Sequence, residues 1–175
     1  MTGLDAIKDV QTVTAGGEPV ATYIAGVQVR RTRTHQDERG ELCEVYDPAW
    51  GFTAEPMVYA YQAMIRPGMA KGWILHEQQD DRLFISFGTA KVVLYDAREG
   101  SETRGMLNEV YLGERDRGIV VIPRGVWHAV ENVGSGDLYY LNLPTKAYNH
   151  ASPDKYRLPL DTDQIPYRFE GRRGW

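Results

Sequence analysis

Short stretches in which apolar and polar positions alternate recur along the whole chain. They are rich in Val, Ile, Leu, Phe and Tyr, the residues that fit the half-buried face of a β-sheet. Turn-forming Gly, Pro and Asp residues separate them. The clearest predicted strands are residues 20–31, 41–46, 57–65, 82–87, 91–95, 118–122 and 138–143. This many short strands at this spacing predict an all-β domain, either a sandwich or a barrel.

Helical periodicity is confined to residues 4–10, where one short helix is expected. From residue 148 onward the chain is rich in Pro and Asp, which predicts an irregular wrap rather than further strands. We therefore divide the chain into an N-terminal extension at 1–24, a barrel at 25–150 and a C-terminal wrap and tail at 151–175.

Composition narrows the class of protein. The chain has 175 residues, 42% of them hydrophobic and 25% charged, which is typical of one globular domain. Its apolar runs reach only about five residues, so no membrane-spanning helix and no secretory signal is expected. The single Cys43 cannot form an internal disulfide, which suits the reducing cytoplasm. A net charge of −4 predicts no basic surface for nucleic acid.

The most specific motif lies near the middle of the second half. Pro-Arg-Gly-Val-Trp-His at 123–128, followed by Asn132, matches P-x-G-x-x-H-x-x-x-N. This pattern is similar to the second signature of the cupin superfamily, whose fold is a double-sheet jelly-roll barrel. The resemblance implies a cupin-type barrel with little helix, in which His128 faces the interior.

An altered first cupin signature precedes it. Residues 68–88 have the spacing of G-x5-H-x-H-x4-E-x6-G, but Ile74 replaces the first His and Asp81 replaces the Glu. Together His76, Asp81 and His128 would supply two imidazoles and one carboxylate, the set favoured by non-haem iron sites. These residues therefore leave open a site with one divalent metal.

Four blocks, one of which contains the motif at 123–128, follow a common pattern. They are Asp-Glu-Arg-Gly-Glu-Leu at 37–42, a Gly-to-Gly segment at 88–105, Ile-Pro-Arg-Gly-Val-Trp-His-Ala at 122–129, and Asp-Thr-Asp-Gln-Ile-Pro-Tyr at 161–167. Together they resemble the dTDP-4-dehydrorhamnose 3,5-epimerase family over about residues 25–169. That family is a metal-independent branch of the cupins and acts on nucleotide-linked 4-keto sugars. The resemblance implies a cofactor-free isomerase or epimerase of a 4-keto-6-deoxy sugar.

One departure bears directly on the chemistry. The catalytic base of that family lies in R-G-L-H, which aligns with 71–74, so Ile74 stands in the place of the base. An alkyl side chain cannot accept a proton. His76 lies two positions further on, on the same face of an extended strand and about 6.5–7 Å away. Either His76 has taken over the role of base, or epimerisation has been lost.

The resemblance also implies roles for other residues. Imidazoles would remove the proton, a late-strand phenol would return it, and an acidic residue near the C-terminus would pair with the base. Cationic side chains would bind the diphosphate. The catalytic candidates are His76, His128, Tyr140 and Asp161, and the substrate-binding candidates are Lys71, Arg82, Tyr148 and Arg39.

Three functions remain open at this point. The first is an epimerase or isomerase that removes a proton next to the ketone of a nucleotide sugar. The second is a non-catalytic or redirected cupin that binds a sugar or a small acid. The third is a metal-dependent cupin built on His76, Asp81 and His128.

A homodimer is also expected. Residues 20–31 form a long predicted strand that is apolar at alternate positions. Such a strand at the edge of a sheet needs to be covered. The resembling family pairs through its early strands, so a second copy is the expected cover.

Overall fold

The computed structural model describes residues 7–17, 19–52 and 55–174. Regular structure in these residues is almost entirely β-strand, with a three-residue 3-10 turn at Pro48–Trp50 as the one helix described. No helix in the described ranges is long and apolar enough to cross a membrane. The strands are β1 (Gln28–Arg31), β2 (Thr34–Asp37), β3 (Gly40–Cys43), β4 (Tyr61–Ile65), β5 (Met69–Leu75), β6 (Asp81–Phe87), β7 (Thr89–Asp96), β8 (Leu107–Gly113), β9 (Gly118–Ile122), β10 (Val126–Asn132), β11 (Leu138–Asn142), β12 (Tyr156–Arg157) and β13 (Arg173–Gly174).

The strands form two larger sheets and one hairpin. The first sheet has the order β1-β9-β6-β11-β4 and the second the order β12-β5-β10-β7-β8. All neighbours on these paths are antiparallel, whereas β13 adds to β5 in parallel. Strands β2 and β3 form a separate hairpin. Together with the core between the sheets, this order confirms the predicted all-β jelly-roll barrel.

Alternation along each strand builds the core. In β6, Leu83 and Ile85 pack in the cluster between the two sheets, while Phe84 packs in a separate cluster on the outer face. On the outer face of the second sheet, Trp73 is fully buried against Phe169, with 5.3 Å between ring centroids. The C-terminal segment therefore covers this sheet from outside.

Strand β5 contains a bulge. His128 of β10 pairs with Ile74 but Val130 pairs with Lys71. An advance of two residues along β10 therefore lies opposite an advance of three residues along β5. The extra residue changes the phase of alternation, as bulges do. Lys71 and Ile74 both line the interior, although an unbroken strand would place them on opposite faces.

Some sequence expectations differ from the structure. Of the predicted strand at 20–31, only β1 pairs with another strand. In the residues before β1, backbone N–H groups bind side chains instead: the Ile24 N–H donates to Asn108 Oδ1 and the Ala25 N–H to Thr103 Oγ1. Residues 4–6 of the expected helix at 4–10 lie outside the described ranges, and residues 7–10 have no regular structure.

Candidate active site

A cavity of about 80 Å³ lies between the two sheets, beside a wider cleft of about 470 Å³. Tyr61, His76 and Lys155 line both spaces and so mark the passage between them. The structure confirms the prediction that Ile74, His76 and His128 face one cavity. Other side chains on the cavity wall are Lys71, Asp81, Tyr140, Asn142 and Arg157.

Asp81 lies between two imidazoles. His76 follows β5, Asp81 begins β6 and His128 lies in β10. Asp81 Oδ2 is 3.3 Å from His76 Nε2 and 3.4 Å from His128 Nε2. The Gln79 side-chain amide donates to Asp81 Oδ1 at 2.9 Å. The carboxylate is thus buried, with a partner on each oxygen.

The opposite ring nitrogens both face backbone carbonyls. His76 Nδ1 contacts the carbonyl oxygen of Asp154, and His128 Nδ1 lies 3.2 Å from that of Val126. A carbonyl only accepts, so these contacts assign the hydrogen to Nδ1. With the hydrogen on Nδ1, each Nε2 can donate a hydrogen bond to Asp81 only when its ring carries a second proton and is an imidazolium. The cluster therefore requires an additional proton or another cation beside the carboxylate.

The charges of this cluster stabilise one another. Burial alone would raise the pKa of Asp81, but the hydrogen bonds from His128 and His76 hold it far below its ordinary value. Burial alone would lower the pKa of His76, but the hydrogen bond and charge of Asp81 and the Asp154 carbonyl raise it. The imidazolium of His76 is therefore favoured more than that of an isolated histidine.

Two phenols face the same space. Tyr140 of β11 lines the cavity, whereas Tyr139 packs against Phe87 on the other face of the strand. Tyr140, not Tyr139, therefore faces the barrel interior. Burial and nearby anionic charge raise the pKa of Tyr61 to about 12, and the same causes raise the pKa of Tyr140 above its usual range. Both hydroxyls stay protonated at neutral pH and can donate.

Cationic side chains reach the cavity from two strands. Lys71 comes from β5, and Lys155 and Arg157 come from the C-terminal segment at β12. Burial lowers the pKa of Lys155, and the charges of Arg157 and Lys71 add to this, although Asp81 opposes it. The cavity thus combines one buried carboxylate with several cationic groups.

The structure does not bring Arg82 or Asp161 to the cavity. Arg82 is adjacent to Asp81 on β6 and so takes the outer face. There its Nη2 donates to the Glu55 carbonyl oxygen at 2.7 Å, and its guanidinium lies over the Tyr46 ring. Asp161 is exposed, because the segment before it packs on the outer side of the second sheet.

Two other candidates lie away from the reacting centre. Arg39 is exposed in the turn between β2 and β3, where its Nη2 pairs with Asp37 Oδ2 at 2.5 Å. Tyr148 lines the outer cleft and contacts the ring of His150. Tyr148 can therefore contact a substrate that extends out of the cavity.

Sequence reasoning missed the contribution of residues 154–157. The Asp154 carbonyl fixes His76, and Lys155 and Arg157 line the cavity. Their stretch looks irregular in sequence because β12 has only two residues. The one available signal was the basic pair Lys155 and Arg157 at strand spacing.

The imidazole pair could also hold a divalent ion. One ligand atom each from His76, Asp81 and His128 lie within 4.8 Å of one another. Nδ1 hydrogen bonds to carbonyls are typical of metal-binding histidines. Lys71 and Arg157 line the same cavity, however, and their positive charge opposes a metal ion there.

Two facing sheets that enclose imidazoles, a carboxylate and phenols define a cupin-type barrel with an acid–base site. The family described as dTDP-4-dehydrorhamnose 3,5-epimerase matches residues 21–163 of this chain. The chain therefore belongs to that family, as its motifs predicted.

Relatives and solved structures agree with this membership. The spore coat polysaccharide biosynthesis protein SpsL of Bacillus subtilis is 35% identical over 146 residues, which cover 83% of this chain and 96% of that protein. The probable low-salt glycan biosynthesis epimerase Agl13 of Haloferax volcanii is 35% identical over 140 residues, covering 79% and 89%. A dTDP sugar isomerase from Desulfovibrio desulfuricans is similar with a TM-score of 0.76 at 25% identity, covering 82% of this chain and 90% of that one.

Proposed function

We propose that this chain is an epimerase or isomerase of a nucleotide-linked 4-keto-6-deoxy sugar, with a dTDP sugar as its substrate. The observation that carries the proposal is the buried His76–Asp81–His128 cluster beside Tyr140 in one cavity. Family membership supports the reaction class, and the dTDP sugar isomerase of similar fold supports the substrate.

The cavity supplies what this reaction needs. A proton leaves the carbon next to the ketone, and the resulting enolate must be stabilised until a proton returns. Positive charge from Lys71 and from the His76 imidazolium offsets the enolate. The neutral phenol of Tyr140 returns a proton to carbon.

The adjoining spaces suit the two parts of the substrate. The sugar ketone enters the cavity, and the nucleotide lies in the wider cleft. Tyr148 and Lys146 line that cleft, where an aromatic ring can stack on a base and an ammonium can bind phosphate.

We propose that the reaction needs no metal and that the protein is a homodimer. The cations around the cavity lower its affinity for a metal ion. Among the described strands β1 pairs only with β9 and ends its sheet, so one edge is open to a second copy.

Proton NMR in D₂O tests the function. The protein should replace hydrogen with deuterium at a carbon next to the ketone of dTDP-4-keto-6-deoxyglucose, and the rate should persist in EDTA. Tyr140→Phe should lower the rate of return to product by about 10²-fold, as loss of a general acid does. Tyr139→Phe, on the outer face, is the matched control and should behave as wild type. Binding of the sugar without exchange would favour a binding protein, and loss of exchange in EDTA would favour the metal site.

A further inference from the structure

The residues directly before and after Lys155 are both hydrogen-bonded to the end of β5 or to the residues that follow it. In the β5–β12 ladder Tyr156 pairs with Leu75 and Arg157 with Ile74, so Lys155 comes opposite His76. Just before it, the Asp154 carboxylate accepts hydrogen bonds from the backbone N–H groups that follow His76, at 2.9 and 2.8 Å. The backbone that carries Lys155 is therefore fixed against the end of β5.

The Lys155 amine faces the passage between cavity and cleft. The side chain is half-buried and lines both spaces. Within the described part of the chain, its only hydrogen bond comes from its backbone N–H to the Pro153 carbonyl, so Nζ has no partner. An amine this well placed is available to a ligand in the cavity.

The two imidazoles, Ile74 and the two phenols of the wall are poorly suited to accept a proton. Both imidazoles direct Nε2 at Asp81 and Nδ1 at a backbone carbonyl, which leaves no ring nitrogen aimed at the open space. Ile74 has no basic atom. Tyr61 and Tyr140 retain their protons at neutral pH.

The charges that face Lys155 favour its neutral amine. Arg157 on its own strand and Lys71 on β5 repel an ammonium, and burial disfavours it further. Asp81 on β6 attracts an ammonium, but both of its oxygens are already occupied by contacts with the two imidazoles and the Gln79 amide. Desolvation and neighbouring cations are the usual means of making a lysine a base.

We propose that Lys155 is the catalytic base of this enzyme, an inference that rests on the proposed epimerase function. The neutral amine takes a proton from the carbon next to the ketone and becomes an ammonium. The C–H electron pair forms a carbon–carbon double bond, and the carbonyl π pair moves to oxygen as an enolate. When the carbonyl re-forms, the carbon takes a proton from Tyr140, and Lys155 and Tyr140 then recover their starting states by exchange with solvent.

Three variants and a pH series test this base. Lys155→Arg carries a permanent positive charge and cannot lose its proton, so exchange into dTDP-4-keto-6-deoxyglucose should fall by about 10²–10⁴-fold. Its affinity for dTDP, measured by calorimetry, should stay within about twofold, which also shows that it folds. Lys155→Ala should lose exchange similarly, and added ethylamine should restore part of it. Lys8→Ala, at an exposed position far from Lys155 in sequence, is the control, and its exchange rate should match that of the wild type.

The pH dependence separates a base from a structural lysine. The wild-type rate should rise with pH through an apparent pKa below that of an ordinary lysine, and this rise should be absent in Lys155→Ala. If Lys155→Arg retains more than a tenth of the exchange rate, Lys155 is not the base.

A measurement without substrate keeps the two proposals apart. In ¹³C NMR of dimethylated lysines, the Lys155 signal, assigned from Lys155→Arg, should titrate below the others. If it titrates with them, the base assignment fails even where exchange occurs. If wild-type protein binds dTDP but shows no exchange, the proposed function itself fails.

Discussion

At the scale of single residues, Asp81 sets the charge of the cavity. It is fully enclosed and is shared by two rings that approach it from different strands. Removing one partner from a buried ion pair typically costs about 3–5 kcal/mol, because the remaining charge is left unpaired.

Asp81→Asn should destabilise the fold by about 3 kcal/mol at pH 6 and lower the pKa of His76. The folded pKa of His76 is raised, so its contribution is present below its unfolded value and is lost as pH rises through the folded value. The folded pKa of Asp81 is depressed, so its contribution is lost as pH falls below the unfolded value. The loss measured by urea unfolding should therefore be larger at pH 6 than at pH 9.

The exposed Asp163 provides the control for this prediction. Asp163→Asn should change the free energy of unfolding by less than about 0.5 kcal/mol. An equal loss at pH 6 and pH 9 in Asp81→Asn would show that the charge of His76 does not contribute.

At the scale of elements, the bulge in β5 decides which side chains face the cavity. Gly72 lies within it, with a φ of +143°. A Cβ at this position would lie 2.4 Å from the Ala129 Cβ and 2.6 Å from the Ala129 Cα on β10. The close approach of β5 and β10 therefore depends on the missing side chain.

Gly72→Ala should destabilise the protein by about 3 kcal/mol, through overpacking and an unfavourable φ. It should also lower deuterium exchange into substrate, since a shift of β5 moves Ile74 and His76. Gly136→Ala is the matched control, because nothing lies within 4 Å of its added Cβ. Thermal unfolding and activity measured on both variants decide the point. Wild-type stability in Gly72→Ala would mean that β10 can move away without cost.

The local sequence pattern predicted where strands lie better than it predicted which face of the sheet each side chain takes. Short runs of residues that favour strands identified β6, β7, β9 and β11, because each strand contributes apolar side chains to the core. The pattern did not predict β5. There Trp73 is buried on the outer face of the sheet and the next residue, Ile74, lines the cavity on the inner face, so two neighbouring positions are both apolar. The motifs located His76, Asp81 and His128, but the family resemblance also named Arg82, whose side chain lies on the outer face of β6.

At the scale of the whole molecule, the open edge at β1 and the β2–β3 hairpin stand apart from the barrel core. Leu42 on this hairpin is 63% exposed. An apolar side chain on a projecting hairpin next to an open sheet edge is typical of an interface between copies.

Light scattering at micromolar concentration should therefore give a particle of twice the 19.8 kDa chain mass. Leu42→Glu should shift the mass toward one chain, because a charge would be buried at the interface. Val10→Glu, also at an exposed apolar position, should leave the mass unchanged. A wild-type particle of one chain mass would contradict the homodimer.

The contact between His76 and the Asp154 carbonyl joins residues 78 positions apart. During synthesis, β1 to β11 leave the ribosome before residue 154 does, so a barrel can close while its reactive wall is still incomplete. Activity then begins only when residues 154–157 dock on β5. The stretch at 146–153 that leads to them is exposed, which makes it the expected site of a protease cut between the barrel strands and the residues that complete the cavity wall.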